Sequence, residues 1–154
     1  MGLDQFLKLK LRVPIEDIEK TIGTDIFTKI LPINFSILYK SVSIDVTVAY
    51  WRKANQIHRW FLKLAEDDQQ HTIDIKTTDL RCLYTDILHV LRNKEDAPNI
   101  LPVMHGFFFG SYNYDDYYFA LLDEAKRSLE GVFLIIDALR EKKIAFDVYY
   151  YASW

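Results

Sequence analysis

Both ends of this 154-residue chain alternate apolar and polar side chains with a period of two, and that pattern restricts the folds open to it. Near the start, Leu3, Phe6 or Leu7, Leu9, Leu11 and Val13 roughly alternate with Lys8, Lys10 and Arg12. Such spacing predicts a strand over residues 5–13, closed by Pro14. The last residues, IAFDVYYYASW, alternate in the same way. Between Phe35 and Val48 the residues Ser41, Ser43, Asp45 and Thr47 interleave with Val42, Ile44, Val46 and Val48, the cleanest strand signal of the three. Strands at both ends with helices between them predict an α+β fold: a single domain over residues 1–154, with a small, mostly antiparallel sheet covered by helices on one face. The terminal strands could pair with each other or with the central one.

The intervening segments read as helices. Ile15, Ile18 and Ile22 predict a short one that stops at Gly23, and Pro32 breaks the segment after it. A helix is predicted from Tyr50 to about Ala65, followed by the polar turn EDDQQ. Thr77, Thr78 or Asp79 can cap another through Val90, and NKEDAPN reads as a mobile loop. Ser111 or Asn113 can cap a long helix. Asp115 and Asp116 in its first turn suit the dipole, and Tyr118, Leu121, Leu122, Ala125, Leu129, Val132, Phe133 and Ile136 keep helical spacing to about Leu139.

The net charge of −3 does not point to a general nucleic-acid binder. No apolar run approaches a membrane span, and none at the start is long enough for a signal peptide. The single cysteine, Cys82, allows no disulfide within the chain and reads as a buried, inert thiol on a helix. Aromatic residues, at 15%, are abundant and mostly Tyr and Phe, which favours surfaces that are apolar and hydrogen-bonding at once.

Two stretches carry the functional expectations. At 100° per residue, YWRKANQIHRWF places Tyr50, Trp51, Ala54, Ile57, His58, Phe61, Leu62, Leu64 and Ala65 on one arc. Arg52, Lys53, Asn55, Gln56, Arg59, Trp60 and Lys63 take the other. His58 falls at the edge of the buried arc, where it reads either as a half-buried histidine bonded to a carbonyl or carboxylate, or as a ligand contact. Arg52, Asn55 and Arg59 share one line. It reads either as a solvated face or as a row of donors for phosphate or carboxylate, with Trp60 beside it to stack on a base or a partner. The second stretch is GFFFGSYNYDDYY. At least two of Phe107, Phe108 and Phe109 are expected in the core. Gly106 and Gly110 permit a tight turn, and a helix starting after Ser111 would leave N–H groups free for an anion. Asp115, Asp116 and Asp123 read as dipole partners rather than metal ligands, so no metal and no cofactor is expected. No nucleophile signature is present, and no catalytic residue is assigned.

These blocks, together with the start MGLD and the ending YYYASW, resemble a widespread family of small phage and prophage proteins. Its members start MGLD, carry a YWRKAN-x-IH-x-WF helix and a GFFFGS-x-x-YD-x-YY segment, and close on SW. The match touches both termini and two internal blocks. Residues 66–100 are less typical, and Gln5-Phe6 departs from the usual start. The resemblance brings no activity with it. It implies an accessory protein in the cytoplasm of an infected bacterium, of the kind that blunts host defences. The expectation is therefore a binder of a small anionic, nucleotide-derived ligand that sequesters an immune signal, rather than an enzyme. The candidate ligand contacts are Arg52, Lys53, Asn55, His58, Arg59, Trp60, Gly110 and Ser111. The alternative is an inhibitor of a host protein. Neither a membrane nor a nucleic acid is an expected partner, and the aromatic surface is compatible with a homo-oligomer.

Overall fold

A computed structural model describes residues 2–14, 16–17, 41–65 and 71–154. The helix expected over 15–22, the break at Pro32, the first residues of the 35–48 strand and the EDDQQ turn lie almost entirely outside the described residues.

Four strands build the sheet: β1 (Asp4–Pro14), β2 (Ser41–Arg52), β3 (Thr72–Ile75) and β4 (Ala145–Ser153). Their order is β2-β1-β4-β3, and every neighbouring pair is antiparallel. The two terminal strands therefore pair with each other, and β1 occupies the middle. Its alternation dictates the layering. Leu3, Leu7 and Leu9 are buried towards one side, while Lys8, Lys10 and Arg12 point to the other. Burying each of those leucines contributes about 2 kcal/mol. The described helices, α1 (Asn55–Leu62), α2 (Thr77–Arg92), α3 (Ala97–Ile100) and α4 (Asp116–Glu141), contribute to the same core. The result is the α+β architecture that the terminal strands imply.

β2 runs further than expected. Leu7 pairs with Ala49 but Lys8 with Thr47, so Val48 is an extra residue in the ladder. This bulge shifts the phase. Up to Val46 the even residues share the sheet face of Leu9 and Leu11, whereas after it Ala49 and Trp51 take that face, both buried. Tyr50, Trp51 and Arg52, expected to open a helix, are the end of this strand. The chain turns at Lys53, whose φ is +58°, and the helix starts only at Asn55.

β3 has no counterpart among the expected strands, since four residues, TIDI, are too few for a periodic signal, although Ile73 and Ile75 are buried as alternation requires. NKEDAPN is also not a loop: Lys94–Asp96 form a 3-10 turn leading into α3, and His89 Nε2 lies 2.7 Å from Asp96 Oδ2. The cap of α4 is Asp115, which accepts from Tyr118 N at 3.0 Å, rather than Ser111 or Asn113. Of the three consecutive phenylalanines only Phe109 joins the core. Phe108 is half-buried and Phe107 is 93% exposed. Cys82 is exposed rather than buried, because α2 presents Leu80, Leu83, Ile87 and Val90 inward and Cys82 falls outside that stripe.

Candidate functional site

Asn55 organises one wall of the site. Its side chain is 2% exposed and makes three bonds into the Phe-rich segment. Nδ2 donates to the carbonyls of Phe109 (3.1 Å) and Ser111 (2.8 Å), and Oδ1 accepts from Met104 N (3.0 Å). Tyr112 closes the same segment across its base, donating to Gly106 O at 2.6 Å. Glycine is required twice here. A Cβ on Gly106 would lie 2.6 Å from the Phe109 ring, and Gly110, at φ +94°, presses against the Cβ and carbonyl of Lys53. The segment is thereby fixed against the first turns of α1.

Between them lies a pocket of about 530 Å³ lined by His58, Arg59, Leu62, Lys63, Met104, His105, Phe109 and Trp154. α1 supplies the first three, its C-cap Lys63 the fourth, the clamped segment the next three, and the residue just past β4 the last. Among the described residues, the lining holds two permanent cations, Arg59 and Lys63, and no Asp or Glu side chain. Arg59 Nη1 donates to Val103 O at 2.8 Å, which aims the guanidinium without neutralising it. Trp154 is 37% exposed and stacks on His71 (4.5 Å), with Phe109 edge-on at 5.9 Å.

His58 is 1% exposed. Its ring meets Phe109 edge-on at 5.3 Å and lies 5.2 Å from Trp154. Nδ1 lies 2.8 Å from the Tyr150 hydroxyl, which in turn lies 3.2 Å from Gln5 Oε1. Burial, and secondarily the charge of nearby His71, pushes the His58 pKa down to about 4, so the ring is neutral at pH 7. Burial also holds Tyr150 well above its ordinary value, so that hydroxyl keeps its proton. Nε2 of His58 has no hydrogen-bond partner.

A larger groove, about 840 Å³, runs along β3 and the far end of β4. Lys10, Arg12, Lys76 and Arg140 line it, but so do Asp45, Asp74 and Asp147. Arg12 is ion-paired with Asp147, and Arg140 with Asp137 at 3.5 Å. Its charges offset one another, whereas among the described residues the lining of the smaller pocket sets its two cations against no acidic side chain.

Of the eight residues singled out in sequence, the pocket gathers His58 and Arg59. Arg52 is on β2, exposed, 3.7 Å from Asp4, and shares no helical line with Asn55 and Arg59. Lys53 forms the turn, and Asn55 is a buried clamp rather than an exposed donor. Trp60 is 7% exposed and donates from Nε1 to Asp86 Oδ2 at 2.9 Å. Gly110 shapes the segment behind the pocket. Ser111 is exposed and uses its Oγ to accept from Asn113 N at 3.2 Å; the carboxylate of Asp115 itself caps the start of α4. Lys63 stood on the basic arc without being selected, and Met104, His105, Phe109 and Trp154 were not assigned. Trp154 had a signal available: it continues the phase of Val148, Tyr150 and Ala152, all buried.

No family model, curated protein or solved structure matches the chain. Among the described residues, no group of three His, Cys, Asp or Glu could hold a metal ion, and no helix is long and apolar enough to cross a membrane.

Proposed function

We propose that this chain binds a small anionic, nucleotide-derived ligand in the pocket between α1 and the 103–110 segment, without turning it over. The observation that supports this is the pairing of Arg59 and Lys63, with no acidic side chain among the described residues of the lining, with the rings of Trp154, His105 and Phe109. Cations hold phosphate oxygens while an aromatic face takes a base. In the setting implied by the resemblance to phage proteins, such a binder would sequester a nucleotide signal of host immunity. The test is calorimetry against cyclic nucleotides, cyclic dinucleotides and ADP-ribose. One of them is expected to bind, and Lys63→Ala or Arg59→Ala to weaken it about tenfold or more, the cost of a lost charged hydrogen bond. Absence of heat across the set, with the protein folded, would overturn the reading.

Phe107 favours a second reading. Its ring is 93% exposed at the tip of the segment that walls the pocket, with Phe108 edge-on at 4.8 Å. An aromatic knob of this kind suits insertion into a host protein. Co-purification of a stoichiometric partner from host lysate, lost in Phe107→Ser but not in Lys63→Ala, would support inhibition of a protein over capture of a small molecule.

A further inference from the structure

Among the described residues, four buried side-chain nitrogens lack partners: Gln5 Nε2, Trp51 Nε1, Gln56 Nε2 and His58 Nε2. Gln5 and Trp51 face each other across the β1–β2 ladder, and Gln5 is linked to His58 through Tyr150. Unpaired buried polar nitrogens are rare, so the orientation of the Gln5 amide in this relay is tested against its two distances. The contact between Tyr150 Oη and the Gln5 amide, 3.2 Å, is long for a hydroxyl donor and ordinary for an amide N–H donor. The contact between Tyr150 Oη and His58 Nδ1, 2.8 Å, suits a hydroxyl that donates.

A half-turn of the Gln5 amide fills the same volume and exchanges its nitrogen and oxygen. Gln5 Nε2 then donates to Tyr150 Oη, and Oε1 becomes an acceptor on the side of Trp51. The Tyr150 hydroxyl, with one proton to give, donates it to His58 Nδ1. A neutral imidazole whose Nδ1 accepts must carry its proton on Nε2. We propose that His58 holds an Nε2–H towards the pocket as an uncharged donor, and that Gln5 and Tyr150 are the positioning residues that fix this tautomer. The ligand class this implies, resting on the binding role proposed above, is a phosphate whose oxygens receive one neutral and two cationic donors, from His58, Arg59 and Lys63. Nε2 has no accessible surface in the free protein. Of the two rings that share the lining and pack on the imidazole, Trp154 is 37% exposed and Phe109 6%, so Trp154 is the one that moves aside.

The test reads the tautomer directly. Long-range ¹H–¹⁵N correlation spectra of the uniformly labelled, ligand-free protein at pH 7 should show His58 protonated at Nε2 and bare at Nδ1. Protonation at Nδ1 overturns the proposal. Gln5→Glu, whose carboxylate can only accept, should pull the Tyr150 proton away and reverse the tautomer. If that variant does not fold, Tyr150→Phe, which removes the donor to Nδ1, should lose the single-tautomer signature; an unchanged spectrum in the folded variant overturns the relay. Adding ADP should then shift the His58 Nε2 resonance and the Trp154 indole together. Binding of ADP that leaves Nε2 unmoved overturns the donor role. If ADP does not bind, the tautomer alone decides this inference, and the proposed function stands or falls on the calorimetric set.

Discussion

Acid should destabilise this protein through His58, and the size of the effect follows from its burial. The ring ionises near 6.5 in an unfolded chain and near 4 in the fold. The unfolded state therefore binds the extra proton first as pH falls. Stability associated with the neutral ring is intact above pH 6.5, declines as pH drops through that value, and is fully lost only below about 4. The slope in between approaches 1.4 kcal/mol per pH unit, so about 2 kcal/mol has gone by pH 5. The groups that face the ring reinforce this direction: His71 is a like charge when protonated, Arg59, Lys63 and His105 share its pocket, Tyr150 stays neutral, and among the described residues no Asp or Glu side chain lines the pocket to rescue the imidazolium. Carboxylates elsewhere titrate in part of the same range, so the informative quantity is a difference. Urea denaturation of the wild type and of His58→Gln should be compared from pH 7 to pH 4.5. The stability gap between them should narrow, or reverse, by about 2 kcal/mol as pH falls. Parallel stability curves would show that His58 is solvated in the fold, and with that the case for a dry, neutral imidazole behind the pocket would fail.

Other substitutions test the frame around the site. Asn55→Ala should cost about 3 kcal/mol, one for each of the three buried bonds to residues 104, 109 and 111, seen as a lowered urea midpoint at unchanged slope. Gly106→Ala should cost about 2 kcal/mol, because its methyl would overlap the Phe109 ring at 2.6 Å; a neutral result would mean that ring is free to swing. Phe107→Ser should leave the melting temperature within a degree or two of wild type, since a side chain 93% exposed gives little to the core. Trp60→Phe should be destabilising by about 1 kcal/mol through the unpaired Asp86, and should leave ligand binding unchanged, as Trp60 is outside the pocket lining.

The parts legible in sequence were those set by long, regular periodicity. β1 and β4 bury alternate residues over eleven and nine positions, and α4 keeps its stripe from Tyr118 to Ile136. What escaped was set by single residues. One extra residue, Val48, reverses the phase of β2, so Tyr50–Arg52 carry no continuing alternation and their spacing fits a helix equally well. That displaced Arg52 and Lys53 from the predicted donor row. Asn55 and Trp60 were assigned outward because polar or amphipathic side chains on a basic arc usually are. Here Met104, Phe109, Ser111 and Asp86 satisfy their polar atoms inside. No local rule announces such partners, which are 26 to 56 residues distant.

The pocket itself brings together residues 58–63, 104–109 and 154, and how it is held bears on what it can bind. Its polar frame is spent internally: Asn55 clamps the 103–111 segment, Tyr112 ties down Gly106, and Arg59 is oriented by Val103 O. A wall already held by these internal bonds loses little entropy when a ligand arrives, which favours capture of a small molecule over slow folding around a large one. The groups left uncommitted are the cationic ends of Arg59 and Lys63, one imidazole nitrogen and the exposed face of Trp154. A fold selected only for stability would gain by pairing the cations with a carboxylate, as the groove along β3 does, and by giving the buried nitrogen an acceptor. Leaving these groups unpaired at one point, beside a frame whose Asn55, Tyr112 and Arg59 bonds are made internally, is the pattern expected where the partner is a ligand that supplies anionic oxygens and a planar ring together.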